Sequence, residues 1–410
     1  MSKFHFIINL EVITTKRIGI IGNGVAAITA LREIRSKDSD VEIDIFTDER
    51  HAYYPKPNLI DFVAGKRTID ETILYSPDWY EKQSINLLLS KPVIRIDTSS
   101  KEIVTSSSTH SGYDSLLIVV GCVPFVPPFE GLSKQSVHVI RTLDDALDIK
   151  KAVKGSGREI VVGGGILGIE LAAAMKAIGG DPIVVTNINT LLPMQLDEAG
   201  SDILLQHLEK LRITVLRGFS CVKISGNNTA DGIISEKGDK IEGDLVVIAT
   251  GVRSNTQLAI DSGISVKRGI VADDHMQTSV SGIFAAGDCM EWRDQWYGII
   301  PWATATARIA AANMLDFGSA KFEGITSSNT LQVAGIDLSS IGIIHPKTSE
   351  YESIISSDEQ KGTYFKAVLK DDVIVGAISL GDRKIAMKLR GLVNKQTNVS
   401  GMKESIFDVE

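Results

Sequence analysis

Gly22-Asn23-Gly24-Val25-Ala26-Ala27 follows a short β-branched run, Arg17 to Ile21, and precedes a helical stretch, Ile28 to Ile34. Strand, tight turn and helix with GxGxxG/A spacing make a dinucleotide-binding unit. The glycines let the backbone turn sharply and approach a pyrophosphate, which then sits at the positive end of the helix. A second strand, Val41 to Phe46, finishes at Asp48-Glu49, where either acid can accept hydrogen bonds from ribose hydroxyls. The full order of strand, turn, helix, strand and acid is far more specific than the glycines alone.

The pattern returns at Glu159 to Glu170, with Ile160 to Val162 as strand and Gly163, Gly165 and Gly168 as the three glycines. One such unit would suit a dehydrogenase with a single nicotinamide cofactor. Two in one chain imply that one holds a flavin dinucleotide, FAD, and the other NADH or NADPH, with electrons passing between the rings. After the second turn, the strand Pro182 to Val185 ends in Thr186-Asn187 rather than an acid, and no Arg stands beside it to take a 2′-phosphate. NADH against NADPH therefore stays open. A further short strand, Ile283 to Ala286, ends in Gly287-Asp288, where a carboxylate can bond a polyol hydroxyl and the glycine permits close approach. The apolar runs Leu116 to Gly121 and Leu245 to Gly251 read as strands ending at glycine, consistent with crossovers between domains.

Composition narrows the classes. The chain has 410 residues, more than one core usually holds, so two or three domains are expected. A net charge of -8 argues against nucleic acid as a partner, and no apolar run is long enough for a membrane span. Met1 to Lys16 has an apolar patch at Phe6 to Leu10 but little positive charge and no clear cleavage site, so it reads as a short extension. Three scattered cysteines, Cys122, Cys221 and Cys289, fit a reducing, cytoplasmic compartment and cannot supply the four thiolates of a rubredoxin-type iron site.

The order GNGVAA, YYPKPNL, VVGCVP, VVGGGILGIELA, ATGVRSN, IFAAGDC and LQVAGIDLSSIG resembles the two-dinucleotide-domain flavoproteins of the pyridine nucleotide oxidoreductase family, over nearly the whole chain. Tyr54-Pro55-Lys56-Pro57, Asp78-Trp79-Tyr80 and Val375-Gly376-Ala377-Ile378 are most similar to NADH:rubredoxin reductases and the flavin part of assimilatory nitrite reductases, with oxygenase ferredoxin reductases next. The resemblance implies that Gly22 to Ala26 cradle the FAD pyrophosphate and Asp48 or Glu49 binds its adenosine ribose. It places Gly121, Gly251 and Gly287 at cofactor-facing strand ends and Asp288 on the ribityl chain. Lys56 would lie beside the flavin as a cation for the reduced ring, and Glu170 where nicotinamide meets isoalloxazine. Asp61, Gln332 and Thr306 stand where relatives often carry Lys, Lys and Gln, and Thr186 where they carry an acid.

Disulfide reductases of this architecture relay electrons through paired cysteines, and single-cysteine relatives place a thiol where this chain reads His51 to Pro55. Neither arrangement exists here, so the implied acceptor is external: a small one-electron carrier of rubredoxin or ferredoxin type. An NAD(P)H oxidase, or a flavin-bearing subunit with little turnover, are the alternatives. Arg383, Lys384, Lys388, Arg390 and Lys395 lie on an expected helix that would attract an acidic carrier. The expected fold is α/β, with two Rossmann-like dinucleotide-binding domains plus a small C-terminal α+β domain. Residues 1–122 and 252–321 would form the discontinuous FAD domain, 123–251 the NAD(P)H domain and 322–410 a C-terminal domain able to form a homodimer interface.

Overall fold

The computed structural model describes residues 15–325 and 328–408. The apolar patch at Phe6 to Leu10 lies outside them. Two parallel five-stranded sheets and one antiparallel five-stranded sheet carry the architecture, in agreement with the α/β reading and its C-terminal α+β unit.

The first sheet runs in the order Ile283–Ala285, Ser115–Ile118, Arg17–Ile21, Glu42–Phe46, Ile85–Leu88. Arg17–Ile21 is flanked on both sides, with Ile20 opposite Ile45 and Leu117, so its side chains are buried on both faces and its sequence is a run, not an alternation. The helix that follows spans Val25–Lys37, starting directly at the glycine turn and so three residues earlier than expected. It buries Ala26, Ala27, Ala30, Leu31 and Ile34 and packs on the long helix Ile300–Leu315. Small side chains on both helices let their backbones come close.

The second sheet is Thr214–Arg217, Pro182–Thr186, Glu159–Val162, Leu245–Ile248, Val137–Val139, every neighbour parallel. The chain passes from the first sheet to the second and back through two segments that pair with each other, Cys122–Pro124 antiparallel to Val252–Ser254. Gly121 (φ +71°) and Gly251 (φ +110°) stand at these crossings, in backbone that side-chain-bearing residues rarely adopt.

In the antiparallel sheet Ser328–Val333, Ile336–Gly342, Val373–Leu380, Thr363–Lys370 and Tyr351–Asp358 are neighbours in that order. Helix Arg383–Asn394 covers one face with Ile385, Ala386, Leu389 and Val393. Tyr364, Ile378 and Leu380 on the other face join one core with Leu196, Leu204 and Leu208 beside the second sheet. At the centre of that seam buried Lys366 pairs with Asp197 at 2.8 Å, and the Tyr364 hydroxyl donates to the same carboxylate at 2.7 Å. The Lys366 ammonium also donates to the Ile344 carbonyl at 3.2 Å.

Candidate functional site

Two cavities lie at the carboxyl ends of the two parallel sheets, where open α/β sheets bind ligands. The first, of about 620 Å³, is lined by Gly22, Asn23, Gly24, Asp48, Glu49, Lys56 and Gly121. Gly22 has φ +111°, and a Cβ there would fall 2.4 Å from the Val119 carbonyl oxygen. A Cβ on Gly24 would meet nothing within 4 Å, so the demand at that position is open space before the helix N-terminus, where a phosphate can reach the amides.

Polar groups left unsatisfied by the protein point to a bound molecule here. The Asn23 carbonyl oxygen accepts from the Tyr80 hydroxyl at 2.8 Å, while its buried Nδ2 has no partner. Asp288 stands behind the lining rather than in it: it accepts from the thiol of the lining residue Cys122 at 3.5 Å through one carboxylate oxygen, and the other is buried and unpartnered among the described residues. Orphaned buried groups cost about 1–3 kcal/mol each, a penalty that ligand hydrogen bonds remove. Desolvation raises the Asp288 carboxyl above the usual range, opposed by Arg141. A Cβ on Gly287 would sit 3.1 Å from that of Ala26, so the Gly-Asp strand end meets the start of the first helix. Thr306 fixes this corner from behind by accepting from the Gly287 amide at 3.0 Å.

Lys56 lies in the cavity lining but is not a free cation: it donates to Glu49 at 2.6 Å and to the Tyr54 hydroxyl at 3.0 Å. Tyr54 in turn donates to Glu49 and accepts from the Leu143 amide at 2.9 Å. Burial pulls the Lys56 ammonium below its ordinary range, with Glu49 opposing the shift. Glu49 is thus committed to this network, whereas Asp48 is exposed and makes no hydrogen bond or ion pair among the described residues. Of the two acids, Asp48 is the one free to meet a ribose.

One cation of the cavity that sequence reasoning missed is Arg141. Arg141 lines it, makes no side-chain hydrogen bond or ion pair among the described residues, and would come within 3.2 Å of a Cβ at Gly121. Thr142 and Asp145 form a capping box at the N-terminus of Leu143–Val153, and Asp145 also accepts from the Arg141 amide at 2.8 Å. The T-x-x-D signal was readable and would have placed Arg141 just ahead of a helix.

The second cavity, of about 560 Å³, is lined by Gly163, Gly165, Thr186, Asn187 and Gly251 among others. Gly163 repeats the first turn: φ +135°, with a Cβ 2.2 Å from the Ala249 carbonyl oxygen. A Cβ on Gly165 would meet nothing within 4 Å, whereas one on Gly168 would strike the Gly163 carbonyl oxygen at 2.1 Å. Gly165 therefore leaves room for ligand, and Gly168 allows helix to pack on strand. Cys122, Val123 and Pro124 line the first cavity, and Phe125 and Pro127, next along the chain, line the second.

Val25 and Ala26 begin the first helix and line neither cavity, and neither do Gly168, Gly287 and Asp288, which were expected at the cofactors. Glu170 also lines neither. It sits on Ile166–Ala177, which packs against Asn58–Val63. Burial first, and then Asp61, push its carboxyl up to about 7. All three cysteines are free and buried. Burial pushes the Cys122 and Cys289 thiols up to about 12, so both are protonated and unreactive near neutrality.

Residues 16–308 match the model of the pyridine nucleotide-disulphide oxidoreductases. The chain belongs to this family. Residues 328–397 match the C-terminal domain of rubredoxin NAD+ reductases. The chain is 30% identical over 378 residues to an NADH-rubredoxin oxidoreductase of Clostridium acetobutylicum, covering 92% of this chain and 94% of that protein. It is 34% identical over 386 residues to a nitrite reductase [NAD(P)H] of Bacillus subtilis, covering 94% of this chain but 48% of that protein. The chain thus spans about half the length of that nitrite reductase. A ferredoxin reductase of Rhodopseudomonas palustris shares the fold, with TM-score 0.86 at 21% identity, covering 96% of this chain and 98% of that one. Among the described residues no helix is long and apolar enough to cross a membrane.

Proposed function

We propose that this family member is an FAD-dependent NAD(P)H:acceptor oxidoreductase that passes electrons from nicotinamide through flavin to an external carrier of rubredoxin or ferredoxin type. The observation that carries the reading is a cavity built on a dinucleotide turn, in which the lining residue Asn23 keeps an unsatisfied Nδ2, together with a second such turn in the cavity lined by Phe125 and Pro127, next along the chain from the Cys122 to Pro124 lining of the first. Bound FAD would supply the conversion of a two-electron hydride into single electrons.

The protein's part is holding and screening. Gly22 to Gly24 open the helix N-terminus to the pyrophosphate, Asp48 meets the adenosine ribose, and Asp288 accepts from the ribityl chain. Arg141 places an unpaired positive charge in the cavity, where it stabilises negative charge on the bound group, a role expected of Lys56. Lys56 instead braces the lining against Glu49 and Tyr54. With every thiol buried, no internal disulfide takes part.

The test is anaerobic addition of NADH or NADPH to the purified yellow protein. Bleaching of the flavin, followed by reoxidation on adding rubredoxin or ferredoxin, is the expected result; no bleaching with either nucleotide would refute the proposal.

A basic face supports an acidic carrier as partner. On the helix Arg383–Asn394, Arg383, Lys384 and Arg390 are exposed, with Lys395 just beyond, and none of the four has an ion pair among the described residues. Lys388 is different: it donates to the Ser405 and Asp408 carbonyls and so ties down the chain end. The double change K384E/R390E should slow carrier reduction at low salt by about tenfold or more and leave nucleotide bleaching unchanged. Equal carrier rates in wild type and variant would exclude this face.

A further inference from the structure

The second cavity, read as above as the nicotinamide dinucleotide site, lacks the charges by which such sites choose between nucleotides. Among the described residues no Asp, Glu, Lys or Arg lines it; Arg217, Glu236, Lys237 and Asp239 line a separate cavity that shares Phe219 and Ser220 with it and carries both signs of charge. An acid at the second strand end favours NADH by accepting from the ribose 2′-hydroxyl and repelling a 2′-phosphate, whereas a cation there favours NADPH. Here the strand ends in Thr186-Asn187. Thr186 is buried, and its side chain fills the space beside Gly164, where a Cβ would meet it at 3.1 Å, so it braces the glycine turn. Asn187 is exposed on the cavity lining and makes no hydrogen bond among the described residues.

The cation on the neighbouring strand is ion-paired. Arg217 ends the neighbouring strand directly opposite Thr186, but its guanidinium donates to Asp202 at 2.7 Å and to the Asn189 carbonyl at 2.9 Å. Nη1 makes both bonds, so the charge is paired with Asp202 and this nitrogen is held at the loop. What remains at the rim is a neutral amide with an oxygen that can accept from a hydroxyl and an NH₂ that can donate to a phosphate.

We infer that Asn187 makes the site indifferent to the 2′ group, so that the protein accepts NADH and NADPH alike, and that this one position sets nucleotide preference. The inference rests on the oxidoreductase reading, and its test reads binding without turnover. Dissociation constants of NAD+ and NADP+ for the flavin-loaded protein would be measured by calorimetry. The two are expected to lie within about tenfold, since no charged contact separates them, a factor worth about 1.4 kcal/mol. Asn187→Asp should weaken NADP+ by about tenfold or more and spare NAD+; Asn187→Arg should shift the ratio as far the other way. A wild-type ratio beyond tenfold, or a ratio that neither variant moves, would overturn the inference and leave the oxidoreductase reading intact. Binding of neither nucleotide would overturn both.

Discussion

Gly22→Ala protein is expected to purify without flavin, whereas Gly163→Ala protein should stay yellow and lose reduction by NADH and NADPH. Each glycine takes a positive φ, at +111° and +135°, that an L side chain tolerates poorly. Each would also drive a Cβ to 2.4 Å or 2.2 Å from a backbone carbonyl oxygen, of Val119 and Ala249. Neither oxygen can yield, because both belong to the chain just past an inner strand of a five-stranded sheet. Overpacking and backbone strain cost about 1–3 kcal/mol each, so the affected ligand should bind at least about thirtyfold more weakly. Visible absorbance per protein and calorimetric nucleotide binding measure the two losses, with circular dichroism to confirm folded chains. The crossed pattern matters: if both variants lost both ligands equally, or neither lost any, the assignment of one turn to each dinucleotide would fail.

Lys366→Met should detach the antiparallel sheet from the nucleotide-binding unit. The ammonium of Lys366 is buried, and its removal leaves Asp197 with only the Tyr364 hydroxyl and the Gly200 amide, at 2.7 Å and 3.2 Å. Breaking a buried pair by deleting one partner costs about 3–5 kcal/mol, because the remaining charge keeps its desolvation penalty. Burial raises the Asp197 carboxyl, and its bonds to Lys366 and Tyr364 more than offset this and hold it below the ordinary carboxylate range, so deleting Lys366 removes the larger of the two opposing bonds. Amide hydrogen exchange across Thr363–Lys370 and Glu198–Lys210 should rise together, more than elsewhere, and adding Asp197→Asn should restore part of the protection. Unchanged exchange in the single variant would show that the seam is held by its apolar contacts alone.

Much of this was legible because it is local. A glycine turn is dictated by steric limits on a few consecutive residues, and fully buried parallel strands announce themselves as apolar runs such as Arg17 to Ile21 and Leu245 to Ile248. The start of the first helix was misjudged by three residues because Val25 and Ala26 carry no signal separating turn from helix. Pairings between distant residues were invisible. Lys56 looked like the cation of the flavin cavity until Glu49 and Tyr54 closed on it, and Arg141 passed unnoticed because its meaning lies in having no partner. Lys366 and Asp197 stand 169 residues apart and read separately as an ordinary strand lysine and a helix cap. The Thr186-Asn187 departure was visible, but only the committed bonds of Arg217 give it a meaning.

The order of strands in the first sheet sets a timetable for biosynthesis. Ile283–Ala285, which pairs with Ser115–Ile118 and carries Gly287-Asp288 just beyond it, is made only after the whole second sheet has been translated. At about 5–20 residues per second, the nascent chain must wait roughly ten to thirty seconds between the two strands. During that interval the edge of Ser115–Ile118 stands open and Gly287-Asp288 does not yet exist. Flavin capture is therefore a late event, and a ribosome stalled between residues 248 and 283 would have made the whole second sheet and left the first one strand short.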